Sequence, residues 1–178
     1  MLVTKTSLDG TTPPQAHSSE ENVYRDSTGR VRTETFYDNG RPMGLALQDP
    51  DKNTFTFMHL VEKSAIVMPV FTPPIPPPGK GWSVERLPPR VIAGFPAEGL
   101  RFTRTIPSAA AGTGAPVTVV EDDWISTQLG VVLEQTLRDP RTGTSTRTVT
   151  QLEQVEPDPA LFVVPADYSV QQAEVSTK

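Results

Sequence analysis

The stretch that decides the fold is Tyr24–Arg41, YRDSTGRVRTETFYDNGR. It holds two acid-to-glycine turns, Asp26-Ser27-Thr28-Gly29 and Asp38-Asn39-Gly40. Asp and Asn bond their own backbone two residues on, and Gly supplies positive φ, so each turn has a mechanism. Between the turns, Arg30 and Arg32 alternate with Val31 and Thr33, and Glu34 follows on the arginine side. Alternation bounded by turn signals reads as a β-strand between two hairpin turns.

The same rhythm runs through most of the 178 residues. Turn signals recur about every ten residues, at Asp9-Gly10, Asp49–Asn53, Glu62–Ser64, Gly94–Pro96, Gln128–Gly130 and Asp139–Gly143. Between them lie candidate strands: Thr54–Leu60 with Ala65–Val70 as the most apolar hairpin, then Ala97–Ile106, Val117–Trp124, Val131–Arg138 and Ser145–Val155. Leu100, Phe102 and Ile106 share one face, with Arg101, Thr103 and Thr105 on the other. Val131, Leu133 and Leu137 likewise oppose Glu134, Thr136 and Arg138. Strict alternation predicts one packed face and one wet face. The 19 prolines and the Thr/Val-rich runs disfavour helix. The expectation is an all-β fold: a large curved antiparallel meander sheet or half-barrel of roughly ten strands.

In domain terms, residues 1–20 read as an N-terminal extension or first strand, 21–172 as a single β domain and 173–178 as a tail. Thr72–Gly81, TPPIPPPGKG, reads as an extended polyproline connector between two halves of the sheet. Pro107–Pro116 reads as a flexible loop; it lacks the Lys and Ser/Thr of a phosphate loop.

Composition excludes several functions. With no cysteine there is no disulfide, thiolate nucleophile or thiolate metal site. A net charge of -5 argues against nucleic acid. No run is long and apolar enough to predict a transmembrane helix. The first residues, MLVTKTSLDGTTPP, lack the apolar core of a signal peptide, which suggests either a cytoplasmic protein or a form whose leader is absent. His17 and His59 are the only histidines and share no ligand spacing. No serine sits in G-x-S-x-G, and no His/Asp pair has a recognisable arrangement. Neither an enzyme nor a cofactor is expected.

Glu121-Asp122-Asp123-Trp124 is the sharpest acidic cluster. On a strand, Glu121 and Asp123 share one face and Asp122 and Trp124 the other. The bland reading is an exposed strand end, with Trp124 covering the core edge. The arginines beside acids are expected to form cross-strand ion pairs on the wet face.

Five stretches resemble a family of uncharacterised exported bacterial proteins: VYRDSTGRVRTE, LQDPDKNTFTF, VIAGFPAEGLRFTRTIP, DDWISTQLGVVLEQTLRDPRTGTSTRTVTQL and EPDPALFVVPADY. They match a Tyr-Arg-Asp turn, a D-P turn, an I-x-G-x-x-x-x-G hairpin, a W-x-S strand and a closing D-P-x-L-F-x-V-P-x-x-Y, over roughly residues 20–170. The same motifs resemble the lipoprotein-carrier (LolA-like) half-barrels and the related periplasmic stress-sensor domains. The resemblance implies a periplasmic or extracellular sheet with a concave, partly apolar face that binds acyl chains or a protein partner. The residues it points to are Phe55, Phe57, Leu60, Ile66, Met68, Leu100, Phe102 and Trp124. Those carriers plug the face with helices, whereas this chain shows none. Curling of the sheet, the Pro-rich segment or another subunit is then expected to cover it. The alternative reading is a structural subunit of an extracellular filament or envelope assembly, self-associating by donation of the polar Met1–Glu20 strand.

Overall fold

The computed structural model describes residues 1–8, 16–37, 39–70 and 82–173. The fold is all-β, with 63% of residues in strands and 5% helical. Among the described residues there are twelve strands: β1 (Leu2–Leu8), β2 (Ala16–Arg25), β3 (Val31–Tyr37), β4 (Pro42–Asp49), β5 (Thr54–His59), β6 (Ser64–Pro69), β7 (Trp82–Ile92), β8 (Phe95–Ile106), β9 (Val117–Ser126), β10 (Val131–Asp139), β11 (Gly143–Gln151) and β12 (Ser169–Gln172). They form an open sheet in the order β12-β6-β5-β4-β3-β2-β1-β11-β10-β9-β8-β7. The order departs from a simple meander at two places. After β6 the chain restarts at the far edge with β7, and β12 returns to pair with β6 in parallel. The Pro-rich connector expected at 72–81 and the Asp9-Gly10 turn lie outside the described residues.

Met1–Leu2, Ser19–Pro74 and Glu153–Lys178 make one compact unit, and Val3–Ser18 with Ile75–Leu152 make the second. In the first unit, register fixes what each face carries. Leu45 opposes Met58, which opposes Ala65. These three and Leu47 form the buried core, with Leu60, Val164 and Tyr168 packed against them. Period-two geometry then places Phe55, Phe57, Ile66 and Met68 on the opposite face, because Phe55 pairs with Met68 and Phe57 with Ile66.

The core face is covered by the chain's own C-terminal segment, a solution the sequence reading did not foresee. Ser27 donates to Glu156 through its N–H (3.0 Å) and its hydroxyl (2.9 Å). Asp158 caps a 3₁₀ turn, Pro159–Phe162, by accepting from Ala160 N at 2.9 Å. Arg32 Nη1 donates to Leu161 O at 2.8 Å, and the Arg30 guanidinium lies 4.9 Å from the Phe162 ring centre. Lys63 pairs with Asp167 at 2.7 Å before Ser169 N donates to Lys63 O and β12 begins. The closing D-P-x-L-F-x-V-P-x-x-Y motif is this strap: its Val164 and Tyr168 pack against the core, and Asp167 and the Leu161 carbonyl tie it down.

Some expectations are corrected here. Arg30 and Arg32 do not stand on a wet face in cross-strand pairs. Arg32 pairs with Glu34 on its own strand at 2.7 Å, their side chains 14% and 20% exposed, and Arg30 pairs with Asp26 within the turn. Of residues 1–20, expected as an N-terminal extension or first strand, Leu2–Leu8 forms β1 between β2 and β11, with Val3 fully buried. Pro107–Pro116 is not all loop, because Ser108–Ala111 forms a single helical turn. The strand expected to run to Val155 ends at Gln151, where the strap begins.

In the second unit, a β-bulge lies between Val132 and Glu134. The extra residue reverses the alternation. Val131 pairs with Ser126 and so falls on the Trp124 face, away from Leu137. Trp82–Ile92 is the edge strand, and Pro88-Pro89 sits at its register slip between Leu87 and Arg90. Proline is tolerated there because it has no ladder bond to donate.

Candidate functional site

Four of the eight expected residues are brought together in the first unit. Phe55, Phe57, Ile66 and Met68 form a two-by-two block of half-buried side chains on one face of β5 and β6. Phe57 also faces Ala46. A Cβ on Gly44 would come within 3.0 Å of Phe57 Cζ, so the Phe57 ring lies over the bare glycine. An aromatic ring laid over a glycine shields backbone that would otherwise be wet. His59 continues the row, its ring 4.9 Å from that of Phe57 in an edge-on arrangement. Leu60 is not part of this block; it packs on the core side.

Two more, Leu100 and Phe102, lie together on β8 in the second unit. Trp124 is on the other face, opposite Gly99. Its indole Nε1 donates to Pro88 O at 3.2 Å, and the Arg90 guanidinium stacks 3.7 Å from its ring centre. Trp124 is 5% exposed and is held inside by a polar frame. A Cβ at position 99 would fall 2.7 Å from Leu87 Cβ and 2.8 Å from Trp124 Nε1, so glycine makes the room that the indole fills.

The acidic cluster divides between faces as its alternation predicts, but it is no exposed strand end. Asp122 is 2% and Asp123 8% exposed. On the Trp124 face, Asp122 accepts from Arg101 of β8 through two bonds of 2.6 and 2.9 Å, and from Arg138 of β10 at 2.8 Å. The Arg101 hydrogen bond, with help from Arg138, outweighs burial and pulls the Asp122 carboxyl down to about 2. Here the expected cross-strand ion pairs exist, around a buried acid.

On the opposite face, Glu121 and Asp123 lie among apolar residues. Burial raises both above the ordinary carboxylate range, reinforced at Glu121 by the charge of Asp123 and at Asp123 by that of Asp122. Gln135 Nε2 donates to Glu121 Oε1 at 2.7 Å. Further along this unit, Val3, Val132, Leu133, Gln135, Arg147 and Val149 line a cavity of about 100 Å³. Sequence reasoning had noticed the acids but not Gln135, whose importance comes only from standing opposite Asp123 on the next strand. Of the candidate residues, none combines a nucleophile with an adjacent base; what the arrangement can do chemically is present apolar surface beside a few polar groups.

No protein-family model matches the chain, and no curated protein sequence matches it. Solved structures do resemble it in fold. One is MucB in complex with MucA(peri), with a TM-score of 0.55 and 13% identity over 97% of this chain and 56% of that chain. Another is the Pseudomonas aeruginosa MucA/MucB complex, with a TM-score of 0.54 and 13% identity over 97% and 58%. A third is MucB alone, with a TM-score of 0.51 and 14% identity over 95% and 58%. The chain therefore spans a little under three-fifths of the length of these matched chains. At this identity the likeness is one of fold, and at that level it agrees with the expected large antiparallel sheet.

Proposed function

We propose that this chain is a non-catalytic, extracytoplasmic binding protein. It holds an apolar segment of a protein partner, or the acyl chain of a lipid or lipid-modified protein, against the Phe55–Phe57–Ile66–Met68 face. The observation that carries the reading is that block: four large apolar side chains in register on one sheet face, half-buried, outside the buried core of their own unit. A contiguous apolar patch on a folded surface marks an interaction site more often than chance. The fold adds support, since the similar MucB has been solved in complex with MucA. The polar strap explains why the other face of this unit is not the candidate: it is already filled.

The test uses the whole chain with Ile66→Thr and Met68→Thr, which keep strand propensity and remove apolar surface. Uptake of a fluorescent fatty acid, and lipid carried through purification by native mass spectrometry, are compared for the parent and the double variant. Binding by the parent that falls at least about fivefold in the variant, a loss of roughly 1 kcal/mol, supports the acyl reading. Retention of an apolar peptide, lost in the variant, supports the protein-partner reading. A parent that takes up neither probe overturns the proposal.

A further inference from the structure

The second unit ends in an edge that is only half guarded. Among the described residues β7 is bonded to β8 on one side and to no strand on the other. An unpaired edge invites another strand, and folded proteins blunt it with short strands, prolines or bulges. The other end of the strand order follows that rule, since β12 has only 4 residues. β7 has 11, and its guard covers one half. Pro88-Pro89 and the register slip between Leu87 and Arg90 protect the second half. Trp82–Leu87 carries neither device. It shows Trp82 at 38% and Val84 at 57% exposed on one face, with Ser83 and Glu85 on the other.

The residues of this half are complementary to themselves. Two copies related by a two-fold axis normal to the sheet run antiparallel with equal faces aligned. Residues of like parity then stand opposite each other, so the axis must pass through a residue. An axis through Glu85 opposes two carboxylates, and one through Arg86 opposes two guanidiniums; like charges directly opposite destabilise a ladder. An axis through Leu87 sets Arg86 and Glu85 against the prolines, and one through Ser83 brings only Trp82, Ser83 and Val84 into register. Through Val84 every pair is favourable. Val84 meets its own copy, the Ser83 hydroxyl faces the Glu85 carboxylate as donor, and Trp82 faces Arg86. The indole already takes the Arg104 guanidinium 5.4 Å from its ring centre, so it is presented as a platform for cations. The Arg86 side chain is 85% exposed, and its 3.7 Å ion pair with Glu98 is long and wet, which leaves it able to turn.

We propose that Trp82–Arg86 is a self-complementary edge through which two copies of this chain pair about a two-fold axis at Val84. The ladder continues across the axis, with a Trp82–Arg86 stack on each side of a central valine pair. Glu85 and Arg86 select this register, because every shift that would oppose them to their own copies is repulsive. Each copy keeps all of its own strands, so this pairing differs from donation of the N-terminal strand. It is also independent of the Phe57 face. So short a ladder buries less surface than a permanent dimer needs, and the association is therefore weak and rises with concentration.

Sedimentation velocity of the full chain over about a hundredfold range of concentration is expected to show monomer passing to dimer. Val84 is well exposed, so substitutions there leave the monomer intact. Val84→Lys and Val84→Glu each set like charges across the axis and are expected to weaken the dimer about fivefold. An equimolar mixture of the two is expected to restore it, because only the mixed pair opposes unlike charges. The chain has no cysteine, which gives a second probe. Residues directly opposed in an antiparallel pair lie at a Cα spacing that a disulfide spans. Val84→Cys is therefore expected to cross-link under oxidised glutathione several-fold faster than Val91→Cys, an exposed position beyond the prolines. A parent that is monomeric throughout overturns the proposal and leaves the edge to a strand of another protein. A dimer untouched by the charged variants, not restored by their mixture, or cross-linked equally from both cysteine variants overturns it too.

Discussion

Arg101 and Asp122 face each other across β8 and β9 in a two-bond pair, Nε to Oδ1 at 2.6 Å and Nη2 to Oδ2 at 2.9 Å. Arg138 reaches the same carboxylate from β10, so one buried acid ties three strands together. Because the folded Asp122 carboxyl sits near 2, its stabilising contribution is fully present above about pH 4 and is lost as pH falls through about 2. Asp122→Asn is expected to lower stability at pH 7 by about 2 kcal/mol, and to flatten the acid limb. Urea midpoints of both proteins between pH 2 and pH 7 check this; parallel profiles would show that the pair contributes nothing.

Asp123 behaves in the opposite sense. Its raised carboxyl contributes stability that is fully present below the ordinary carboxylate pKa and is lost as pH rises through the folded value. Asp123→Asn is therefore expected to gain on the parent as pH rises from 4 to 8, by about 1 kcal/mol. The same urea series reads the difference. A constant offset at every pH would contradict the assigned burial.

The strap over the first unit's core makes a third expectation. Tyr168→Ala removes an apolar lid residue beside Leu45, Leu47, Met58 and Ala65. A loss of about 2 kcal/mol is expected, as for a partly buried large side chain. Lys63→Met, which breaks the exposed pair with Asp167, is expected to cost little. If thermal melts ranked the two variants in reverse order, electrostatics and not apolar cover would hold the strap.

Gly99 tests how Trp124 is seated. Gly99→Val places a branched side chain where Leu87 Cβ and Trp124 Nε1 already stand. Overpacking is expected to cost about 1–3 kcal/mol and to expose the indole, shifting its fluorescence to the red. An unchanged emission maximum would mean that the neighbours yield.

The β7–β8 turn offers a gain. Ala93 has φ of 48° and Gly94 of 83°, the pair of left-handed conformations that a tight hairpin needs. Alanine is strained there, and asparagine is the preferred residue. Ala93→Asn is expected to stabilise by roughly 0.5–1 kcal/mol, read from the shift in urea midpoint at constant slope.

Much of the sheet was legible in the residues. Asp-to-Gly turns and period-two alternation are local devices, so β3, β5, β6, β8 and β10 could be placed within a residue or two. The split of Glu121 and Asp123 from Asp122 and Trp124 follows from pleat geometry alone. The bulge at Val132–Glu134 was not legible, because nothing in VVLEQ distinguishes a regular strand from one with an extra residue. The candidate site was legible only in part: TFTFMHL and AIVMPV announced an apolar hairpin, but Leu60 and Trp124 were grouped with residues whose faces they do not share.

By itself the sequence determined an all-β chain of short strands, since prolines and β-branched residues deny helix and the turn residues fix where strands stop. Only the tertiary structure decided which face of each strand is covered. Burial depends on partners distant in sequence: Leu45 is inside because Val164 and Tyr168 return to it, and Asp122 is inside because Arg101 and Arg138 arrive from neighbouring strands. Alternation says that a strand has two sides; it cannot say which side the rest of the chain will come back to cover.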